Sequence, residues 1–232
     1  YLETFDGTIL TYGPEIPAAP IADIAFDGES ILVGDVRGIV LEMMRGGSLV
    51  PVGGTTPEIP IRAVAFDSGT RRIAHAQTGD VPPLVIRNED GTTVDVATDV
   101  LVSDLAFTSS GTLLVAGERA GHPVIESRDA SLAVVGADIA LDVPGAFLEL
   151  ALAPALGESA ARLVAVATSH VLLAGETIPL SGGRSIALAT DEVSAFALVA
   201  GSEGLVALDA AGTPGREVFR LAGDSVTVRV DA

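Results

Sequence analysis

Short apolar runs alternate with Gly, Asp, Ser and Pro along the whole chain. The runs Ile31 to Gly34, Ile73 to Ala76, Leu113 to Gly117, Leu163 to Ala167 and Ala195 to Gly201 are rich in Leu, Val and Ala. Their shortness predicts buried strands and not helices. Ahead of the first three stand near copies of one another: Ile21-Ala-Asp-Ile-Ala-Phe-Asp27, Ile61-Arg-Ala-Val-Ala-Phe-Asp67 and Val102-Ser-Asp-Leu-Ala-Phe-Thr108. A Gly/Ser turn separates each copy from the run that follows. Fainter copies fall at Leu150 to Leu152, Leu188 to Asp191 and Val228 to Asp231. The central residues occupy positions 25, 65, 106, 151, 189 and 229, a period of about 40 residues.

Each period has room for two more strands. Val85 to Asn88 and Thr92 to Val96 flank Glu89-Asp90-Gly91, where Gly91 supplies the positive φ of a tight hairpin. Equivalent connections are expected at Arg45-Gly46-Gly47, Arg128-Asp129-Ala130 and Asp209 to Gly212. Four antiparallel strands per repeat are the content of a propeller blade, so the pattern predicts a single all-β domain, a β-propeller of about six four-stranded blades. Five blades are expected at about 19–58, 59–99, 100–141, 142–182 and 183–222. The closing blade would combine 223–232 with 1–18. Leu2 to Phe5 and Thr8 to Tyr12 around Asp6-Gly7 read as third and fourth strands, and Ser225 to Val230 as a first strand. Such sharing removes the open sheet edge. A β-sandwich is the alternative fold.

Through patterns such as Asp104-Leu-Ala-Phe-Thr-Ser-Ser-Gly-Thr-Leu-Leu-Val-Ala-Gly117, the chain resembles the broad class of β-propeller repeat proteins over nearly its whole length. No subfamily signature accompanies the resemblance: there is no Trp for a Trp-Asp blade ending, no Kelch-spaced Gly-Gly pair and no Asp-box.

Composition narrows the function classes. Acidic residues outnumber basic ones 31 to 13, a formal charge of −18, and a surface of that sign repels nucleic-acid backbones and anionic membranes. No apolar stretch reaches the roughly 20 residues of a spanning helix, so membrane insertion is not expected. All basic residues are Arg, in keeping with a GC-rich coding sequence, and the chain is free of Lys and Cys. Thiol catalysis and disulfides are therefore excluded. A start at Tyr1, lacking any leader, predicts a processed chain or a fragment. Together with the absence of Lys and the habits of propellers, it leads to the expectation of a secreted, periplasmic or cell-surface protein.

Propellers bind ligands on the face built from second-to-third-strand and blade-to-blade connections. By that resemblance the partner-binding face would comprise Asp35, Arg37, Asp80, Glu118, Arg119, His170 and Glu203. The four acids Asp35, Asp80, Glu118 and Glu203 are the candidate metal ligands, with calcium the possible cofactor. The plainer reading is that solvated loops of an acidic protein carry acids, and that Arg37 and Arg119 neutralise their neighbours. His75 lies within an apolar strand and reads as a hydrogen-bonded structural imidazole, while His122 and His170 fall near equivalent loops. Asp23, Asp104 and Glu149 share a register in first strands and are expected to accept backbone hydrogen bonds between blades. Phe26, Phe66 and Phe107 are expected to fill the interblade core.

No nucleophile elbow or phosphate loop is present. The residues thus favour a non-enzymatic module for protein interaction, binding or assembly, whose partner is a protein or a second copy. The alternative is a calcium-dependent hydrolase or lactonase like other six-bladed propeller enzymes. Those enzymes place Asn beside the acids, whereas Asn88, the sole Asn, falls next to a hairpin on the opposite end.

Overall fold

A computed structural model describes residues 2–3, 9–10, 19–26, 30–44, 49–53, 59–79, 84–153, 162–190, 195–202, 204–209 and 217–222. A short pair, β1 (Leu2–Glu3) and β2 (Ile9–Leu10), is followed by five four-stranded antiparallel sheets, each built from strands consecutive in sequence. Sheet 1 contains β3 (Ile21–Phe26), β4 (Ser30–Asp35), β5 (Val40–Met44) and β6 (Leu49–Gly53). Sheet 2 contains β7 (Ile61–Asp67), β8 (Arg72–Gln77), β9 (Leu84–Arg87) and β10 (Thr93–Val96). Sheet 3 contains β11 (Leu101–Phe107), β12 (Leu113–Arg119), β13 (His122–Arg128) and β14 (Ile139–Ala140). Sheet 4 contains β15 (Phe147–Ala153), β16 (Arg162–Ala167), β17 (His170–Leu173) and β18 (Glu176–Pro179). Sheet 5 contains β19 (Ser185–Thr190), β20 (Ala195–Gly201), β21 (Gly204–Asp209) and β22 (Glu217–Ala222).

Second strands are the most apolar because they lie in the middle of a sheet and are covered on both faces. Every residue of β4 and of β8 is buried, which accounts for runs without polar alternation. Three first strands share an irregularity: the pairing register skips one residue between Ile21 and Asp23, between Ile61 and Ala63, and between Phe147 and Glu149. A bulge of this kind increases local twist and re-aims the side chains beside it. The fourth strand of sheet 3 departs from expectation. Beyond Arg128 the chain turns through Asp129, whose carboxylate accepts from the Ser131 and Ala133 amides, and makes one bridge between Arg128 and Val134. Only Ile139–Ala140 then pairs with β13.

Two compact units divide the structure, residues 1–114 with 128–134 and 232, and residues 115–127 with 135–231. In the first, Leu32 and Val40 of sheet 1 pack on Ile61, Val64 and Ile73 of sheet 2. Gly34 makes the closest approach: a β-carbon there would stand 2.4 Å from Ile61 Cγ2, so only glycine lets the sheets meet at this point. In the second, Ala153, Val164, Val166, Val171 and Leu173 of sheet 4 pack on Ile186, Ala197, Val199, Val206 and Leu208 of sheet 5.

Candidate functional site

Much of the loop face expected to hold a cation is engaged internally. Asp35 is fully buried at the end of β4. Its Oδ1 accepts from the amides of Arg37 and Ile39, and its Oδ2 from Nε and Nη2 of Arg37. An aspartate closing its own turn in this way has no lone pair directed outward, and it does not fit a calcium ligand. Arg37 thus serves its neighbour, as the plainer reading expects. Arg119 does not neutralise Glu118. Instead its Nη2 binds Glu126 at 2.7 Å, and its Nη1 meets Asp138. Glu118 is half-buried on β12. His170 Nδ1 lies 2.9 Å from the Ser169 hydroxyl, and His122 Nδ1 lies 3.1 Å from the Val143 carbonyl oxygen. Asp80 and Glu203 lie outside the described residues. Among the described residues no group of three or more His, Cys, Asp or Glu side chains is placed to hold a metal ion.

Two acids of the first strands tie sheet to sheet. Asp23 Oδ2 accepts from the Val64 amide at 2.7 Å, and Glu149 Oε2 from the Ile186 amide at 2.9 Å. Asp104 accepts from the amide of Leu105. Burial pushes the Asp23 carboxyl above its ordinary range, although the Val64 and Ile24 amides and the charge of Arg62 pull the other way.

A junction not singled out in the sequence centres on Arg71 and Arg72, at the turn from β7 to β8. Arg71 has φ +52°, a conformation that costs free energy in a residue bearing a β-carbon. The two guanidinium groups reach different sheets, Arg71 toward sheet 1 and Arg72 toward sheet 3. Arg71 stacks 5.4 Å from the Phe66 ring centroid and pairs with Glu42 of sheet 1 at 2.9 Å. Arg72 is buried, pairs with Asp67 at 3.0 Å and donates to the carbonyls of Gly111 and Ala130. It also stacks 5.2 Å from the Phe107 centroid. Burial alone would raise the Asp67 carboxyl, but hydrogen bonds from Thr70 and Arg72, with the charge of Arg72, hold it below its ordinary range. Adjacent to this junction is an open cavity of about 430 Å3 lined by Thr70, Arg72, Asn88, Glu89, Asp90 and Ala130. Its polar groups largely satisfy one another: Asp90 accepts from the Thr92 amide and hydroxyl, and Asn88 donates to Thr92.

Two features stand apart from this internal pairing. His75 is buried and neither ring nitrogen has a hydrogen-bond partner, contrary to the hydrogen-bonded imidazole expected. The other feature is β3. Ile21, Ile24 and Phe26 are 50%, 48% and 55% exposed. At the matching positions of β7, Ile61 and Val64 are 1% and 3% exposed and Phe66 is half-buried. On the same face of sheet 1, Ile31 and Val33 of β4 are buried, so the opening is one strand wide.

No family model matches the chain, and no curated protein does. Solved structures do. A chain from the crystal structure of a nidogen/laminin complex superposes with a TM-score of 0.63 at 16% identity, covering 90% of this chain and 82% of that one. The β-propeller domain of Myceliophteria thermophila Cps50 (Swd1) gives 0.60 at 14% identity, covering 84% of this chain and 66% of that one. The likeness is one of fold. The chain is an all-β repeat of four-stranded antiparallel sheets resembling β-propellers. No helix among the described residues is long and apolar enough to cross a membrane.

Proposed function

We infer that this chain is a non-enzymatic propeller module that binds or assembles with another protein. The observation that carries the reading is the apolar strip Ile21, Ile24 and Phe26, which no described residue covers, in contrast to the matching strip of β7. An apolar surface left uncovered by its own fold marks an interaction site. One strand in width, this strip fits a partner segment that presents an apolar edge or face, as β4 and β5 do to β7. Secretion or surface display is part of the same proposal.

Because the chain has no Cys, single thiols can be placed at will. Ile24→Cys in the isolated chain is expected to react with a maleimide at a rate near that of a free thiol, whereas Val64→Cys reacts far more slowly. Equal slow rates at every concentration would mean that this chain covers the strip itself, and the binding reading would fail. Slowing only as concentration rises would identify a second copy as the partner. The hydrolase alternative has less support, since both carboxylate oxygens of Asp35 are engaged by Arg37 and Ile39. Millimolar calcium is expected to leave the melting temperature unchanged, and a rise of several degrees would restore that alternative.

A further inference from the structure

The buried imidazole of His75 has no role in the binding reading, yet its placement is unusual. It lies on the face of sheet 2 turned toward sheet 1, in a cross-strand row with Val64, Val85 and Asp95. Opposite is Gly53 of β6, where a β-carbon would stand 3.3 Å from the ring Cε1 and 3.5 Å from Nδ1. The ring therefore rests against bare backbone, with neither nitrogen paired. A neutral imidazole tolerates such a seat at moderate cost. An imidazolium, with two donors and a charge, does not.

Charged groups on the packed elements do not relieve it. Glu42 on β5 is engaged by Arg71, and Asp23 on β3 by the Val64 amide. Arg87 shares the face of sheet 2, on β9, and would oppose a second positive charge. Asp95, exposed on β10, is the carboxylate whose charge favours protonation. The β6 strand, Leu49–Gly53, carries no titratable side chain.

We propose that His75 makes the seam between sheets 1 and 2 an acid-operated joint, in which proton uptake by the ring parts β6 from β8. The way out of the seat leads past β6 because that side is the least firmly held. On the other sides, β7 and β9 are hydrogen-bonded to β8. β6 is the edge strand of its sheet, contains Pro51, which has no amide to donate, and skips register between Val40 and Leu41.

The sign follows from linkage. The exposed ring binds its proton near 6.5, whereas burial pushes the seated ring down to about 4. The closed seam is therefore fully favoured above 6.5 and loses its advantage as pH falls toward 4. From pH 7 to pH 4 the opening constant should rise by roughly 100-fold, close to tenfold for each pH unit through the middle of that range. Asp23, whose carboxyl burial raises above 3.8, acts in the opposite sense, so the effect is cleanest toward the upper end of the window.

Hydrogen exchange of the full chain, corrected for the intrinsic pH dependence of amide exchange, tests the joint. Protection over 49–53 and 72–77 should fall with acid while that over 204–209 holds, and His75→Phe should remove the fall. The same fall in His75→Phe would overturn the proposal. The wild-type chain supplies an independent readout, since only three histidine rings contribute to its NMR spectrum. His75 should gain its proton together with the loss of protection. A ring that titrates near 6.5 with protection unchanged would refute the joint, whatever happens to the variant.

Discussion

Strands β3 and β7 begin nearly the same heptapeptide, pair with their second strands through the same register skip and send three matching apolar side chains to one face. In β7 that face is packed against Leu32 and Val40 of the preceding sheet, and in β3 no described residue covers it. The contrast separates two things that a repeat encodes together. Strand formation is local, a matter of β-branched residues and turns. Burial depends on what the chain puts next to the strand, and identical residues can differ by the full hydrophobic contribution of a side chain, about 1.5–3 kcal/mol.

The contrast can be broken or sharpened by substitution. The largest effect should come from the other face of β7, where Arg72→Ala leaves Asp67 buried without its partner. A cost of about 3–5 kcal/mol is expected in denaturant unfolding. Next is the pair of matched isoleucines. Ile61→Ala should cost about 2–5 kcal/mol, whereas Ile21→Ala should stay within about 0.5–1 kcal/mol. Equal losses would mean that β3 is covered in solution. Gly34→Ala pushes a β-carbon into Ile61 and should cost about 1–3 kcal/mol, with no comparable penalty for Ala22→Val on exposed β3 backbone. The smallest effect concerns acid. Hydrogen bonds from Thr70 and Arg72, with the charge of Arg72, keep the Asp67 carboxyl below its ordinary 3.8, so their contribution is present above that value and lost as pH falls through the folded one. Asp67→Asn should therefore flatten the stability profile only below about pH 4, and flattening at pH 5 to 7 would assign the effect elsewhere.

The repeat was legible because it depends on period and punctuation. Ile21 to Asp27 and its copies announced first strands, the apolar runs announced second strands, and Asp90-Gly91 announced a hairpin that the structure contains. The structural roles of Asp23 and Glu149 were also readable, since an acid repeated in a buried strand must find donors. The Arg71 and Arg72 junction was not readable, because two adjacent arginines at a turn look like solvated charge until Gly111, Ala130 and Glu42 are brought beside them. The loop face misled for a related reason. Asp35 has the chemistry of a ligand, but its turn folds back so that Arg37 and Ile39 consume both oxygens.

What the residues determined by themselves was the all-β repeat, with four short strands to each period, because hydrophobic periodicity and turn chemistry act over a few residues. Only the tertiary structure decided which equivalent positions are covered, which acids are already satisfied, and that His75 is seated without a partner. Those outcomes depend on groups distant in sequence, such as Gly53 against His75 and Gly34 against Ile61, and the free energy of burying a group is set by what meets it.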